Sequence, residues 1–404
     1  MHISQRQLFF NHIAQTSCFP LALEIDHAEG VYMHGTNQKR YLDLISGIGV
    51  SNVGHRHPRV LDSIYKQLDK HMHLLVYGEY IQGTQVQLAT ALTQTLDIQV
   101  SQPSPWGLID NVYFTNSGTE AVEGALKLAK RFTRRAEFIS CINAYHGATQ
   151  GALTLSGAEH FKRSFRPLLP SVKQIRHGLI DDIEKITYKT AAVIIEIIGG
   201  ESGVRVPTKE FFVALRERCT EVGALLILDE VQTGFGRTGS FWAFEQYGIY
   251  PDILLSAKGM GGGMPIGAFM ASQEVMKVLK TNPILGHITT FGGHPVSCAA
   301  SLAALNVTLD ENLAYGAIEK GELFKSLLSH PKIKEVRGTG LMLAAEMTSF
   351  EKLKVAIDKC IENGVVTDWF LFCDNSMRIA PPLIITDDQI KEGCKVILDV
   401  LDLD

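Results

Sequence analysis

Apolar positions along the middle of the chain switch repeatedly between two periods. Residues 112–114 (Val-Tyr-Phe) form a short strand-like run, the turn Thr115-Asn116-Ser117-Gly118-Thr119 is polar, and then Ala121, Ala125, Leu128, Ala129 and Phe132 recur at helical spacing. A second unit reads as a buried strand over 191–198. It is followed by a helix starting at Pro207-Thr208, with Phe212, Leu215, Cys219 and Val222 on one face and Gly223 as its stop. The next apolar run, 225–228, leads straight into Asp229-Glu230, and another, 253–255, leads into Ser256-Ala257-Lys258-Gly259. Strands alternating with helices predict an α/β fold, a mostly parallel sheet sandwiched by helices. Each polar segment then sits at a strand's carboxyl end, where open sheets of this kind bind ligands.

The flanks read differently. Residues 30–50 look like a hairpin turning at Gly35-Thr36-Asn37, and beyond about residue 305 helices mix with strands such as 340–347. The expectation is a large domain over 56–304 and a smaller α+β domain made from both chain ends, 1–55 and 305–404.

Composition narrows the partners. The 404 residues are 46% apolar and 20% charged, ordinary globular usage that can bury a large core. A net charge of −5 without a basic block makes nucleic acid a poor partner. Seven cysteines without a CxxC pair read as a reduced, cytosolic chain, and no metal site is expected. The first fifteen residues lack a basic start followed by an apolar run, and no run approaches about 18 apolar residues, so neither secretion nor membrane insertion is expected. Glycine clusters at 199–200, 261–263 and 292–293 suggest backbone held close to a ligand.

Lys258 alone is an ordinary surface lysine. Its neighbourhood changes the reading, because an equivalent strand end about thirty residues earlier presents Asp229. A desolvated lysine and a carboxylate at such strand ends are what pyridoxal 5'-phosphate requires: the amine forms a Schiff base and the aspartate keeps the pyridine nitrogen protonated. The Ser117-Gly118-Thr119 turn, at a helix start, supplies free N–H groups, hydroxyls and a positive dipole end for the phosphate.

From about residue 20 onward the sequence resembles the class III, or ω-amino-acid, aminotransferases of the pyridoxal-phosphate fold type I group. Eight blocks carry the resemblance in family order: SGIGVSNVGHRHP, YFTNSGTEAVEGALKLAKR, AYHGATQGAL, EIIGGESG, LILDEVQTGFGRTG, AKGMGGGMPIGA, TTFGGHP and RIAPPL. It implies a homodimer with cofactors at the subunit interface. It also implies that Lys258 tethers the cofactor, Asp229 pairs with the ring nitrogen and Gln232 contacts the phenolic oxygen. Ser117, Gly118 and Thr119 would hold the phosphate, with Thr290 reaching the neighbouring subunit's phosphate. Tyr145 and Val231 would cover the two ring faces.

The resemblance further implies that Arg378 pairs with a substrate carboxylate and that Glu201 neutralises Arg378 while an ω-amino donor is bound. Two departures stand out. Ala148 occupies the place of an arginine often used for the distal carboxylate of 2-oxoglutarate, and Ile48 replaces a tyrosine of ornithine-specific members. The expected activity is ping-pong transfer of an amino group from an acetylornithine-, ornithine- or 4-aminobutyrate-like donor to a 2-oxo acid. The rivals are an aminomutase or racemase of the glutamate-1-semialdehyde type and a cofactor-binding module without catalysis.

Overall fold

The computed structural model describes residues 4–403; Met1, His2, Ile3 and Asp404, parts of the terminal stretches read above, lie outside the described residues. A seven-stranded sheet organises the centre, in the order Asn111–Thr115, Gly267–Ala271, Ile253–Ser256, Leu225–Asp229, Thr190–Glu196, Glu137–Cys141 and Val172–Ile175. Pairing is parallel except at Gly267–Ala271, which runs antiparallel to both neighbours. The three strands Thr190–Glu196, Leu225–Asp229 and Ile253–Ser256 are buried along their whole length. That is why their sequences are nearly unbroken apolar runs: helices cover both faces of the sheet.

The covering helices begin and end where local chemistry dictates. Ser117 caps the helix Gly118–Thr133 by accepting the N–H of Glu120, and Thr208 caps Lys209–Val222 by accepting that of Phe211. The second helix stops at Gly223, whose φ of 64° is left-handed and suits glycine.

Two smaller sheets lie beside the central one in sequence order. In the first, Ile25–Glu29, Tyr32–Gly35 and Arg40–Asp43 form an antiparallel meander, and Val365–Val366 adds in parallel to Arg40–Asp43, so segments more than 300 residues apart share a sheet. The hairpin turn falls at 36–39, just after the expected glycine, with Gln38 at a φ of 65°. The second contains Glu335–Thr339, Met342–Glu346, Cys373–Ile379 and Trp369–Phe370. Leu42, Leu44, Leu343, Ile357, Val365 and Ile390 belong to one apolar cluster that ties these layers together. Among the described residues, no helix is long and apolar enough to cross a membrane.

Candidate active site

Strand register brings the chemistry together. Glu196 and Asp229 are paired residues at the ends of adjacent parallel strands, and Asp229 is also in register with Leu255, three residues before Lys258. Lys258 follows the strand end with a left-handed φ of 47°, opening a short 3-10 turn. Ser117, Gly118, Thr119, Tyr145, Asp229, Val231, Gln232 and Lys258, which the sequence analysis singled out, all line one cavity of about 480 Å³, within the usual size for a cofactor site. Glu196, His146 and Glu201 line it too.

Asp229 is fixed from two sides. Its Oδ2 lies 2.7 Å from Nδ1 of His146 and its Oδ1 accepts the N–H of Val231 at 3.0 Å. Burial opposes a charge on His146, but the bond to Asp229, its charge and that of Glu196 outweigh it and raise the imidazole pKa. Glu196 accepts the N–H groups of Tyr145 and Gly200, each at 3.2 Å. Burial pushes its carboxyl up to about 7, with neighbouring Asp229 adding to the rise and His146 opposing it. Burial likewise pulls the Lys258 ammonium below its ordinary value; Arg378 adds to that fall while Glu201, Asp229 and Glu196 resist it. Among the described residues none hydrogen-bonds to the Lys258 amine, which leaves it available to a ligand.

The turn at the helix start is shaped by close packing. A Cβ on Gly118 would approach the Val231 methyls at 3.0 and 3.1 Å, and one on Gly147, whose φ is 128°, would meet the Thr119 hydroxyl at 2.3 Å. The Thr119 hydroxyl lies 2.7 Å from that of Thr149. The turn bearing Tyr145 and His146 is thus pressed against the turn bearing Ser117 and Thr119. Tyr145 remains half-exposed, and burial and the charge of Glu201 raise its phenol pKa.

Arg378 does not line the cavity. It is 2% exposed, behind Glu201: Nη1 and Nη2 donate to the two Glu201 oxygens at 3.0 and 3.1 Å. Nε donates to Asp368 Oδ1 at 2.7 Å, and the guanidinium lies 4.4 Å from the centre of the Phe370 ring. Both carboxylates lift the guanidinium pKa against the effect of burial.

Ile48 and Thr290 also lie outside the cavity lining. Ile48 sits in a run of four left-handed residues, Ser46 to Gly49, with a φ of 62°, a strained conformation for a β-branched side chain. Asp43 steadies the run by accepting the N–H groups of Ile45 and Ser46, and Val50, just past it, lines the cavity. Thr290 is exposed on the loop before the helix Pro295–Asp310. Sequence reasoning gave no role to His146, Glu196 or Asp368. The first two stood in quoted blocks, but a single sequence does not reveal that their partners are Asp229 and one another.

The site suits pyridoxal phosphate on its own chemistry. It offers an unpartnered amine, a clamped carboxylate for a pyridine nitrogen, a helix start with small residues for a phosphate, and room between Tyr145 and Val231, both of which line the cavity. Comparison with known proteins agrees. The aminotransferase class III family matches residues 13–401. Acetylornithine aminotransferase of Methanopyrus kandleri is 38% identical over 395 residues, 96% of each chain. Putrescine aminotransferase of Pectobacterium atrosepticum is 40% identical, over 91% of this chain and 79% of the relative. Among solved structures, ornithine aminotransferase from Toxoplasma gondii superposes with a TM-score of 0.90 at 30% identity, covering 99% of this chain and 96% of that one.

Fold and site together define a pyridoxal-phosphate-dependent enzyme of fold type I. The chain belongs to the class III aminotransferases.

Proposed function

We infer that the enzyme takes an amino group from an ω-amino donor of the acetylornithine, ornithine or 4-aminobutyrate kind and passes it to a 2-oxo acid in two alternating half-reactions. The observation that carries this reading is the convergence of Lys258, Asp229 and the Ser117–Thr119 turn on one cavity beside the Arg378–Glu201 pair. Pyridoxal phosphate, when bound, supplies an aldehyde that accepts the amino group and a ring that spreads the electrons of the donor's C–H bond.

The protein's part follows from its own groups. Lys258 would hold the cofactor through its amine, and its depressed pKa favours the neutral, nucleophilic form. Once released by the donor, the same amine moves a proton from the donor carbon. Asp229, oriented by His146 and the Val231 N–H, would keep a proton on the pyridine nitrogen. Ser117, Gly118 and Thr119 would bind the phosphate with helix-start N–H groups, which have no acceptor within the helix. Gln232 would face the phenolic oxygen, and Tyr145 and Val231 the two ring faces.

Arg378 would take the carboxylate of the acceptor when Glu201 swings aside; the closed pair is the form suited to an amine. Ile48, two residues before the cavity-lining Val50, supports donors other than ornithine alone. A homodimer is supported by a surface: Tyr80, Ile81, Ile284 and Ile288 are exposed apolar side chains around a second cavity of about 640 Å³, near Phe291 and Thr290. A second copy covering it would bring Thr290 to the partner's cofactor.

The test is spectroscopic. Visible absorption of the loaded protein should fall on adding an amine donor and return on adding a 2-oxo acid, and Lys258→Ala should abolish turnover. Near-normal transamination by Lys258→Ala overturns this reading.

A further inference from the structure

The edge strand Val172–Ile175 of the central sheet borders a cavity of about 430 Å³ that shares no lining residue with the catalytic one. Hydrogen bonds within its walls hold the frame. The Thr154 hydroxyl donates to the Gln150 carbonyl oxygen at 2.7 Å and accepts the Leu169 N–H at 3.1 Å, and Gln174 Nε2 donates to the Ser156 carbonyl oxygen at 3.0 Å.

Lys162 lines this cavity and is only 7% exposed, yet its amine makes no hydrogen bond or ion pair among the described residues. The one carboxylate of the lining, Glu159, is engaged elsewhere: its two oxygens accept Arg166 Nε and Nη2 at 2.9 and 2.8 Å. That pair cancels one charge of each sign, so a lining of two cations and one carboxylate is left with a positive charge at Lys162. Burial lowers the ammonium pKa and Arg166 adds to the fall, with Glu159 opposing it. An ammonium that has given up hydration without gaining a partner is costly, and an entering counter-ion offsets that cost.

Two further donors of the lining have capacity to spare. Arg166 Nη1 and the Ser171 hydroxyl make no bond among the described residues. An amine, a guanidinium edge and a hydroxyl suit a multivalent oxyanion, whose several acceptor oxygens can be shared among them. A cation would be repelled by Lys162, and an apolar ligand would leave the ammonium stranded.

We propose that the cavity beside Val172–Ile175 is a second anion site of this enzyme, one that takes a phosphate group through Lys162, Arg166 and Ser171. Because it lies apart from the reacting groups, its ligand contributes to native-state stability by mass action and takes no part in the chemistry.

The test uses enzyme loaded with pyridoxal phosphate, so that the phosphate turn of the catalytic cavity is already filled. Inorganic phosphate and glycerol 3-phosphate are titrated calorimetrically into wild type and Lys162→Met. Wild type should bind phosphate at one site per chain, and the variant should bind it about tenfold more weakly or worse, the loss of one charge-assisted hydrogen bond. Phosphate should raise the melting temperature of wild type but not of the variant. Without phosphate, Lys162→Met should melt no lower than wild type, since it removes a buried charge that has no partner; a merely structural lysine would be missed in both conditions. In wild type itself, phosphate should slow acetylation of Lys162 by acetic anhydride, read by peptide mass spectrometry, which needs no variant to fold. Tighter binding of glycerol 3-phosphate assigns the site to a phosphate carried on a small molecule, and tighter binding of inorganic phosphate assigns it to the free ion; both support the proposal. No binding to wild type, equal binding to Lys162→Met, or acetylation of Lys162 indifferent to phosphate overturns it.

Discussion

Asp229 Oδ2 and His146 Nδ1 are 2.7 Å apart within the buried site, while the other ring nitrogen of His146, Nε2, is buried without a partner among the described residues. The pair ties the turn after the strand Glu137–Cys141 to the end of the strand Leu225–Asp229. It lets a carboxylate persist in a largely apolar setting, because a charge-assisted hydrogen bond offsets part of its lost hydration.

His146→Asn removes the charge that faces Asp229 and shortens the donor's reach. The variant should bind pyridoxal phosphate about tenfold more weakly, the cost of one charge-assisted hydrogen bond, and turn over more slowly. Titration of the apoprotein followed by visible absorption measures this; wild-type affinity and kcat in the variant would remove the orienting role.

Glu196 links the site to pH. Its carboxyl titrates near 4.5 in the unfolded chain and near 7 in the native one, so between those values the native state binds more protons. Stability should therefore decline as pH rises from about 4.5 to about 7, and above that the full cost of a buried carboxylate is present. Glu196→Gln abolishes this dependence. At pH 8 the variant should be more stable than wild type by about 2–3 kcal/mol, with a flatter profile below pH 7, seen by thermal melting. A variant less stable at pH 8 would contradict the argument.

Away from the site, Arg216 and Asp252 form a buried ion pair at 2.9 Å, and the same Asp252 oxygen accepts the Leu226 N–H at 2.6 Å. Removing the aspartate's charge strands the guanidinium in the interior. Asp252→Asn should lose about 3–5 kcal/mol in urea unfolding. Its absorption spectrum with bound cofactor should match wild type, since neither residue lines the cavity.

Much of this arrangement was legible from apolar spacing. The runs at 225–228 and 253–255 announced buried strands, and Asp229 and Lys258, one and three residues beyond them, had to lie at the carboxyl ends of those strands. Strand direction was not legible. Gly267–Ala271 is as apolar as its neighbours, and side-chain periodicity is the same whichever way a strand runs. His146, Glu196 and Asp368 stayed hidden for another reason: each owes its character to a partner on a different segment or across a hairpin. Asp229 is 83 residues from His146, and the pairing exists only after the strands are in register. Arg378 was legible as a carboxylate-pairing arginine and Glu201 as its partner, but the second carboxylate beside Trp369 reads in sequence as an ordinary polar position.

The reversed strand constrains movement in the site. Because Gly267–Ala271 pairs back along Ile253–Ser256, the segment bearing Lys258 is a loop with both feet laced into the central sheet. With both ends of that loop anchored, torsions of the four methylene groups of Lys258 give its amine reach without moving the strand ends. Warming that frays the outer layers should leave the arm's footing intact until the central sheet itself gives way.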